Sequence, residues 1–246
     1  MSEISSNYFF NFTCKLDYLV ETIEHSAFSP RYNCEDFSYI HSSFGIIKNI
    51  FILMKSFCDI PFSHLMQKHI ETYGSYGIGL KKDWGIKNNL TPVHYIPVLN
   101  GDAWYPSNLS SLYSLAFHNN NEISIGDLIT NYFIYTKPYE KGGTIFYEER
   151  EWRYIPSLDN IKKIGNEDLR IRHYFILPNQ DFDSLDDLKD NSNNLKNNEY
   201  VRLKFDLNDV KYVIVEKDNE IDKIKKMVNG NINIVIRTVP EVLKTQ

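Results

Sequence analysis

Residues 146–154, Phe-Tyr-Glu-Glu-Arg-Glu-Trp-Arg-Tyr, hold the densest run of charged side chains in a stretch that otherwise reads as a strand. Successive side chains of an extended chain alternate between faces, so Glu149, Glu151 and Arg153 would share one face and Glu148, Arg150 and Trp152 the other. Two carboxylates about 7 Å apart beside a guanidinium can hold a sugar hydroxyl and stabilise a cationic transition state, as glycosyl transfer requires. The same residues also suit a solvated strand face with Lys or Arg partners across the sheet, because charged edge strands are common. A second cluster, Lys55 to His64, ends one apolar run and opens a helical one. Its small polar side chains, Ser56 first, could line a pocket for a planar ring; Ser56 and Ser63 could equally end the strand and cap the helix over 64–73. Cys58 reads as an inert buried thiol, since no His/Asn arrangement fixes it as a thiolate.

The remaining patterns exclude more chemistry than they support. None of the seven histidines stands in an HxH or HExxH motif. His64 and His69, five apart, leave each other's helix face, so no metal site is expected. Tyr73 to Gly79 lacks the Gly-Lys-Ser/Thr ending of a phosphate loop and follows a helix rather than a strand, which makes it a tight turn lined by aromatic rings. Cys14, Cys34 and Cys58 are an odd number at wide spacings and fit neither a disulfide framework nor a metal knuckle.

The elements that must position these groups follow from periodicity. Residues 8–13 form a strand, and Leu16, Leu19, Val20 and Ile23 recur at helical spacing after it. Phe28 to Tyr32 reads as a loop, Ile46 to Cys58 as a buried strand stopped before Pro61, and 73–80 as a strand whose glycines let backbones pass closely. Further strands fall at 92–98, 133–138, 145–155, 170–177, 200–205, 212–216 and 232–237, with Glu140 to Gly143 as a hairpin connection and a helix at 218–228. A helical insertion is expected over 107–133. Residues 178–198, rich in Asp and Asn and poor in apolar groups, read as a mobile surface loop. These elements make one α+β domain over 1–246, with a mixed, mostly antiparallel sheet and flanking helices.

Composition sets the outer bounds. With 27 Lys+Arg against 32 Asp+Glu, the net charge is −5, which disfavours a broad polyanion-binding surface and a basic patch around Lys48, Lys55, Lys68, Lys81 and Lys82. Nucleic acid is therefore not expected as a bound partner. The 42% hydrophobic share excludes a disordered chain. The apolar run 45–54 is interrupted by Lys48 and Asn49 and is too short to span a bilayer. No basic then apolar leader opens the chain, so a cytoplasmic location is expected.

Several stretches, taken in order, resemble the AbiGi-type abortive phage infection family: Phe10-Asn11-Phe12-Thr13, Phe28-Ser29-Pro30-Arg31-Tyr32 followed by Glu35, Phe57 to Ser63, Tyr73 to Leu80 with Trp84, and Glu149-Arg150-Glu151-Trp152-Arg153. The resemblance implies an antiphage setting and a role as antitoxin or defence component. A second resemblance is to the split-sheet ADP-ribosyltransferase plan, including its DNA-modifying toxins. That plan implies a sheet in two halves with NAD bound as substrate between them. It places Asn11 and Thr13 on the NAD-orienting first strand, Ser56 on the strand supporting the nicotinamide ribose, and Glu149 or Glu151 on the ribose hydroxyl. Asn11 stands where the His-type version has His; it can donate a hydrogen bond but carries no imidazole. Arg31 would pair with the pyrophosphate, and Tyr32 or Tyr73 would stack on nicotinamide. The alternative is a non-catalytic antitoxin or sensor subunit that binds a toxin or a phage protein.

Overall fold

The computed structural model describes residues 6–39, 41–42, 45–46, 49–65, 67–98, 111, 132–164, 176–178 and 185–244. The chain opens with β1 (Tyr8–Thr13) and α1 (Leu16–His25), then β2 (Ala27–Phe28), β3 (Arg31–Asp36), β4 (His41–Ser42), β5 (Gly45–Ile46) and the long β6 (Asn49–Cys58). Next come α2 (Gln67–Tyr73), β7 (Tyr76–Lys81), α3 (Lys82–Lys87), β8 (Thr91–Pro92), β9 (His94–Ile96), β10 (Thr136–Pro138), the β11–β12 hairpin (Glu140–Lys141, Thr144–Ile145) and β13 (Glu151–Tyr154). The chain ends through α4 (Leu158–Lys162), β14 (Ile176–Pro178), α5 (Leu185–Leu195), β15 (Leu203–Lys204), β16 (Val210–Val215), α6 (Ile221–Met227), β17 (Val235–Thr238) and α7 (Val239–Leu243).

The main sheet runs β17-β16-β7-β1-β6-β13-β8, with β3 and β14 also paired to β6. Its pairs are antiparallel apart from parallel β16–β17. This is the expected α+β class with a mixed, mostly antiparallel sheet. Strand β6 is its trunk. The apolar run Ile50 to Met54 is buried and pairs with β3, while Lys55 to Cys58 pair with Tyr154 to Glu151 of β13.

Helices α1 and α6 cover one side of the β1–β7–β16 region. Leu19 and Ile23 of α1 and Ile224 of α6 pack with Phe9, Ile78, Leu80 and Val213, each fully buried aliphatic side chain contributing about 1.5–3 kcal/mol. Glycine shapes the opposite side. A Cβ at Gly77 would lie 2.8 Å from the Phe12 ring and one at Gly79 2.6 Å from the Phe10 ring. The two rings can therefore approach β7 this closely only because those positions carry no side chain.

Several expectations change. Residues 28–32 are not a loop: Phe28 pairs with Leu203 and Arg31 begins β3, leaving only Ser29 and Pro30 between strands. The strand foreseen over 145–155 begins at Glu151, because residues 146–149 form a 3-10 turn and Arg150 adopts the left-handed conformation (φ 42°). Ser63 sits in a short 3-10 turn, and α2 starts later, at Gln67. Within 178–198, residues 185–195 are helix rather than loop. Ser192 and Leu195 are buried, and the Ser192 hydroxyl accepts the Tyr32 backbone N–H at 3.1 Å, which covers part of β3. A hairpin does form at 140–145, but on its own: Glu140 and Lys141, expected in the connection, pair with Ile145 and Thr144 around Gly142 and Gly143 at positive φ (57° and 81°), while β10 and β13, the strands it was to join, pair elsewhere. The insertion at 107–133 lies outside the described residues apart from Ser111, Tyr132 and Phe133, as do residues 170–175 of the strand expected over 170–177.

Candidate functional site

Strands β1 and β6 meet in register only at Phe10 and Cys58. A cleft of about 380 Å³ opens beside this junction, lined by β1, β3, β6, the end of α2, Lys137 of β10 and Glu149 and Glu151. The Asn11 amide ties its two principal walls together, donating from Nδ2 to the Ser56 carbonyl at 2.8 Å. Antiparallel register with β13 sets Arg153 opposite Ser56 and Glu151 opposite Cys58.

At the floor lies a buried charge network. Arg153 is fully buried; its Nε donates to Glu151 Oε1 at 2.9 Å and its second guanidinium nitrogen to Glu151 Oε2 at 3.2 Å and Glu35 Oε2 at 2.9 Å. The remaining nitrogen donates to the Ile134 carbonyl at 2.6 Å. Glu151 Oε1 also accepts from the Ser56 hydroxyl at 2.7 Å, and Oε2 from Lys137 Nζ at 3.1 Å. Burial opposes ionisation of this carboxyl, but Arg153 and Lys137 outweigh it and hold Glu151 down to about 2. With some four acceptor positions on a carboxylate, Glu151 is saturated by the protein.

Glu149 stands nearer the mouth. Its Oε2 accepts from Lys137 at 2.7 Å, and the Tyr73 hydroxyl bonds to it. Burial and the neighbouring Glu149 charge push the Tyr73 phenol well above its ordinary value. Burial would lower Lys137, yet Glu151, Glu35 and Glu149 together raise it, so this lysine stays charged. Where Arg31 of β3 and Lys55 of β6 line it, the wall is basic. Lys55 is held down to about 8 by burial and by the nearby Arg31 charge. Arg31 in turn donates to the Asn193 side-chain oxygen of α5 at 3.3 Å.

The structure thus brings together Asn11, Arg31, Ser56, Tyr73, Glu149 and Glu151 from the expected set. Thr13 and Tyr32 do not line the cleft. Thr13 pairs with Tyr76 at the end of β1, and Tyr32 is 5% exposed within the core around β6. Strand alternation explains the latter: once Arg31 begins a strand, Tyr32 faces away from Arg31, Asn33 and Glu35. Sequence reasoning missed Lys137 and the site role of Glu35. The available signal for Lys137 was a lone lysine in an aromatic strand run, which when buried needs carboxylate partners. Among the described residues no group of three or more His, Cys, Asp or Glu side chains could hold a metal ion. No helix among them is long and apolar enough to cross a membrane.

Residues 26–216 match the family described as "Putative abortive phage resistance protein AbiGi, antitoxin". The chain belongs to the AbiGi family. It is similar to the abortive phage resistance protein AbiGi of Lactococcus lactis subsp. cremoris, with 32% identity over a match that covers 54% of this chain and 64% of that protein. No solved structure matches the chain.

Proposed function

We propose that the chain acts in abortive phage resistance and that its cleft binds NAD as a substrate. Glu149 or Glu151 would meet the nicotinamide ribose, Ser56 and Asn11 would position it, and Tyr73 would stack on the ring. One observation supports the reading above all: Asn11, Ser56 and the Glu149/Glu151 pair, spread over 140 residues of sequence, converge on one cleft where β1 and β6 part. At about 380 Å³ the cleft lies toward the lower end of small-molecule sites, about 300–1,000 Å³. That suits the nicotinamide riboside portion, with the phosphates led out past Arg31 and Lys55.

In this reaction the bond from ribose C1′ to nicotinamide breaks and nicotinamide leaves with the electron pair. The carboxylates face the positive charge that develops on the ribose. A water or target nucleophile then forms the new bond to C1′ and gives up its proton. Glu149, whose side chain is 19% exposed, is the carboxylate a ribose can reach without displacing Arg153. Isothermal titration with NAD, on the natural chain and on Glu149→Gln/Glu151→Gln, tests the reading. Binding that the double variant weakens is the expected result; absence of heat from the natural chain at millimolar NAD would refute it.

A second reading is favoured by the saturation of Glu151 and by the family's description as an antitoxin. On it, the chain is a non-catalytic subunit that binds a toxin partner. It predicts a stable complex with the product of a neighbouring gene, and co-purification that recovers nothing above background would count against it.

A further inference from the structure

We infer that Lys137 occupies the place at which a ligand's positive charge would meet Glu149 and Glu151, and so sets the preference of the site between a cationic ring and a neutral one. The inference rests on the nucleotide reading above. Lys137 enters from β10, a strand that pairs with β9 rather than with the main sheet. Its ammonium lies 2.7 Å from Glu149 Oε2 and 3.1 Å from Glu151 Oε2, and 4.8 Å from the centre of the Phe146 ring. Each of these groups is what a bound cation would seek: two carboxylate oxygens and an aromatic face.

The other cation of the network has a different task. Arg153 is fully buried and holds Glu151 and Glu35 from beneath. Lys137 lines the cleft itself, so its charge neutralises the two glutamates on the side from which a ligand arrives. The three surrounding carboxylates keep it protonated. A ligand bringing positive charge to Glu149 and Glu151 must therefore displace this ammonium or bind beside it. Two like charges about 4–5 Å apart in a partly desolvated cleft cost enough to change affinity by roughly tenfold or more. A neutral ring bears no such cost.

NAD and NADH supply the pair of probes, since they differ at the nicotinamide ring by one positive charge. Both are titrated against the natural chain and against Lys137→Met, Lys137→Gln and Lys137→Arg, with thermal unfolding followed in parallel. The two neutral replacements guard against loss of folding in either one. Affinity for NAD relative to NADH should rise about tenfold in the neutral variants, while Lys137→Arg keeps the natural ratio. If NAD still binds but the ratio stays level or falls in the neutral variants, Lys137 merely bridges the glutamates and the inference is overturned while the nucleotide reading stands. If neither nucleotide binds any of the proteins, the nucleotide reading fails and takes this inference with it.

Discussion

Substitution Arg153→Met removes the guanidinium that holds Glu151 and Glu35 and fills the space with an apolar chain. Removing one partner of a buried charge set costs about 3–5 kcal/mol, chiefly because the remaining charges are left uncompensated. Arg153 is fully buried and donates to both carboxylates, which puts the variant toward the upper end, with Lys137 offsetting part of the loss at Glu151. The pH dependence gives a sharper test than the magnitude. In the natural chain the Glu151 carboxyl is depressed from an ordinary 4.5 to about 2, a difference corresponding to about 3 kcal/mol. That stability is present above pH 4.5 and is lost as pH falls toward 2. In the variant, burial acts with less opposition and raises the folded-state value, so the sign of this contribution reverses: protonation relieves the buried charge and the variant regains stability on mild acidification. Urea unfolding followed by circular dichroism between pH 5 and 8 should show the gap between the two proteins narrowing as pH falls. Parallel pH profiles with a difference under about 1 kcal/mol would refute the argument, because a group holding two buried carboxylates cannot be removed so cheaply.

Gly79→Ala sets a Cβ 2.6 Å from the buried Phe10 ring and 3.1 Å from Tyr212 Cβ. Overpacking of this kind costs about 1–3 kcal/mol, and a loss below about 0.5 kcal/mol in denaturant titration would show that the ring is free to move. Burial pushes the Cys58 thiol up to about 12, whereas Cys14 and Cys34 are exposed. Iodoacetamide at pH 8, read by peptide mass spectrometry, should therefore label Cys14 and leave Cys58 unmodified until denaturant is added; prompt labelling of Cys58 in the folded protein would contradict its burial.

The strands were legible where apolar and aromatic residues dominate, as in β1 and the Ile50–Met54 stretch of β6, because burial on both faces leaves a plain compositional mark. The Glu-x-Glu chemistry was legible by residue type but not by geometry. Alternation assumed an unbroken strand, and nothing about Arg150 announces a left-handed backbone, which Gly, Asn or Asp would have suggested. The two carboxylates still share a partner, Lys137, by a route period-two reasoning does not contain. Helix α5 was hidden because, among its described side chains, Leu188, Ser192 and Leu195 carry the buried face amid asparagine and aspartate, and one of those three is polar. Its Asn193 nevertheless bonds Arg31, so a segment read as loop helps to hold a site residue. Lys137 and Glu35 could not be joined to the glutamates from sequence, since only tertiary structure sets β3, β10 and β13 around one cleft.

The pairing pattern of β6 carries a consequence for the order in which the chain folds. Its partnership with β3 joins near neighbours in sequence, from Asp36 with Asn49 to Arg31 with Met54. The partnership with β13 joins Cys58 to Glu151 and Lys55 to Tyr154, across most of a hundred residues. Loop closure grows more costly with length and local pairings form early, so β3 and β6 can zip together before β13 arrives. The ion network at the cleft floor then closes after the β3–β6 pair that receives it. Changes to Arg153 and Glu151 should accordingly hasten unfolding more than they retard folding, and the cleft becomes the part of the molecule whose persistence, rather than its formation, depends on those charges.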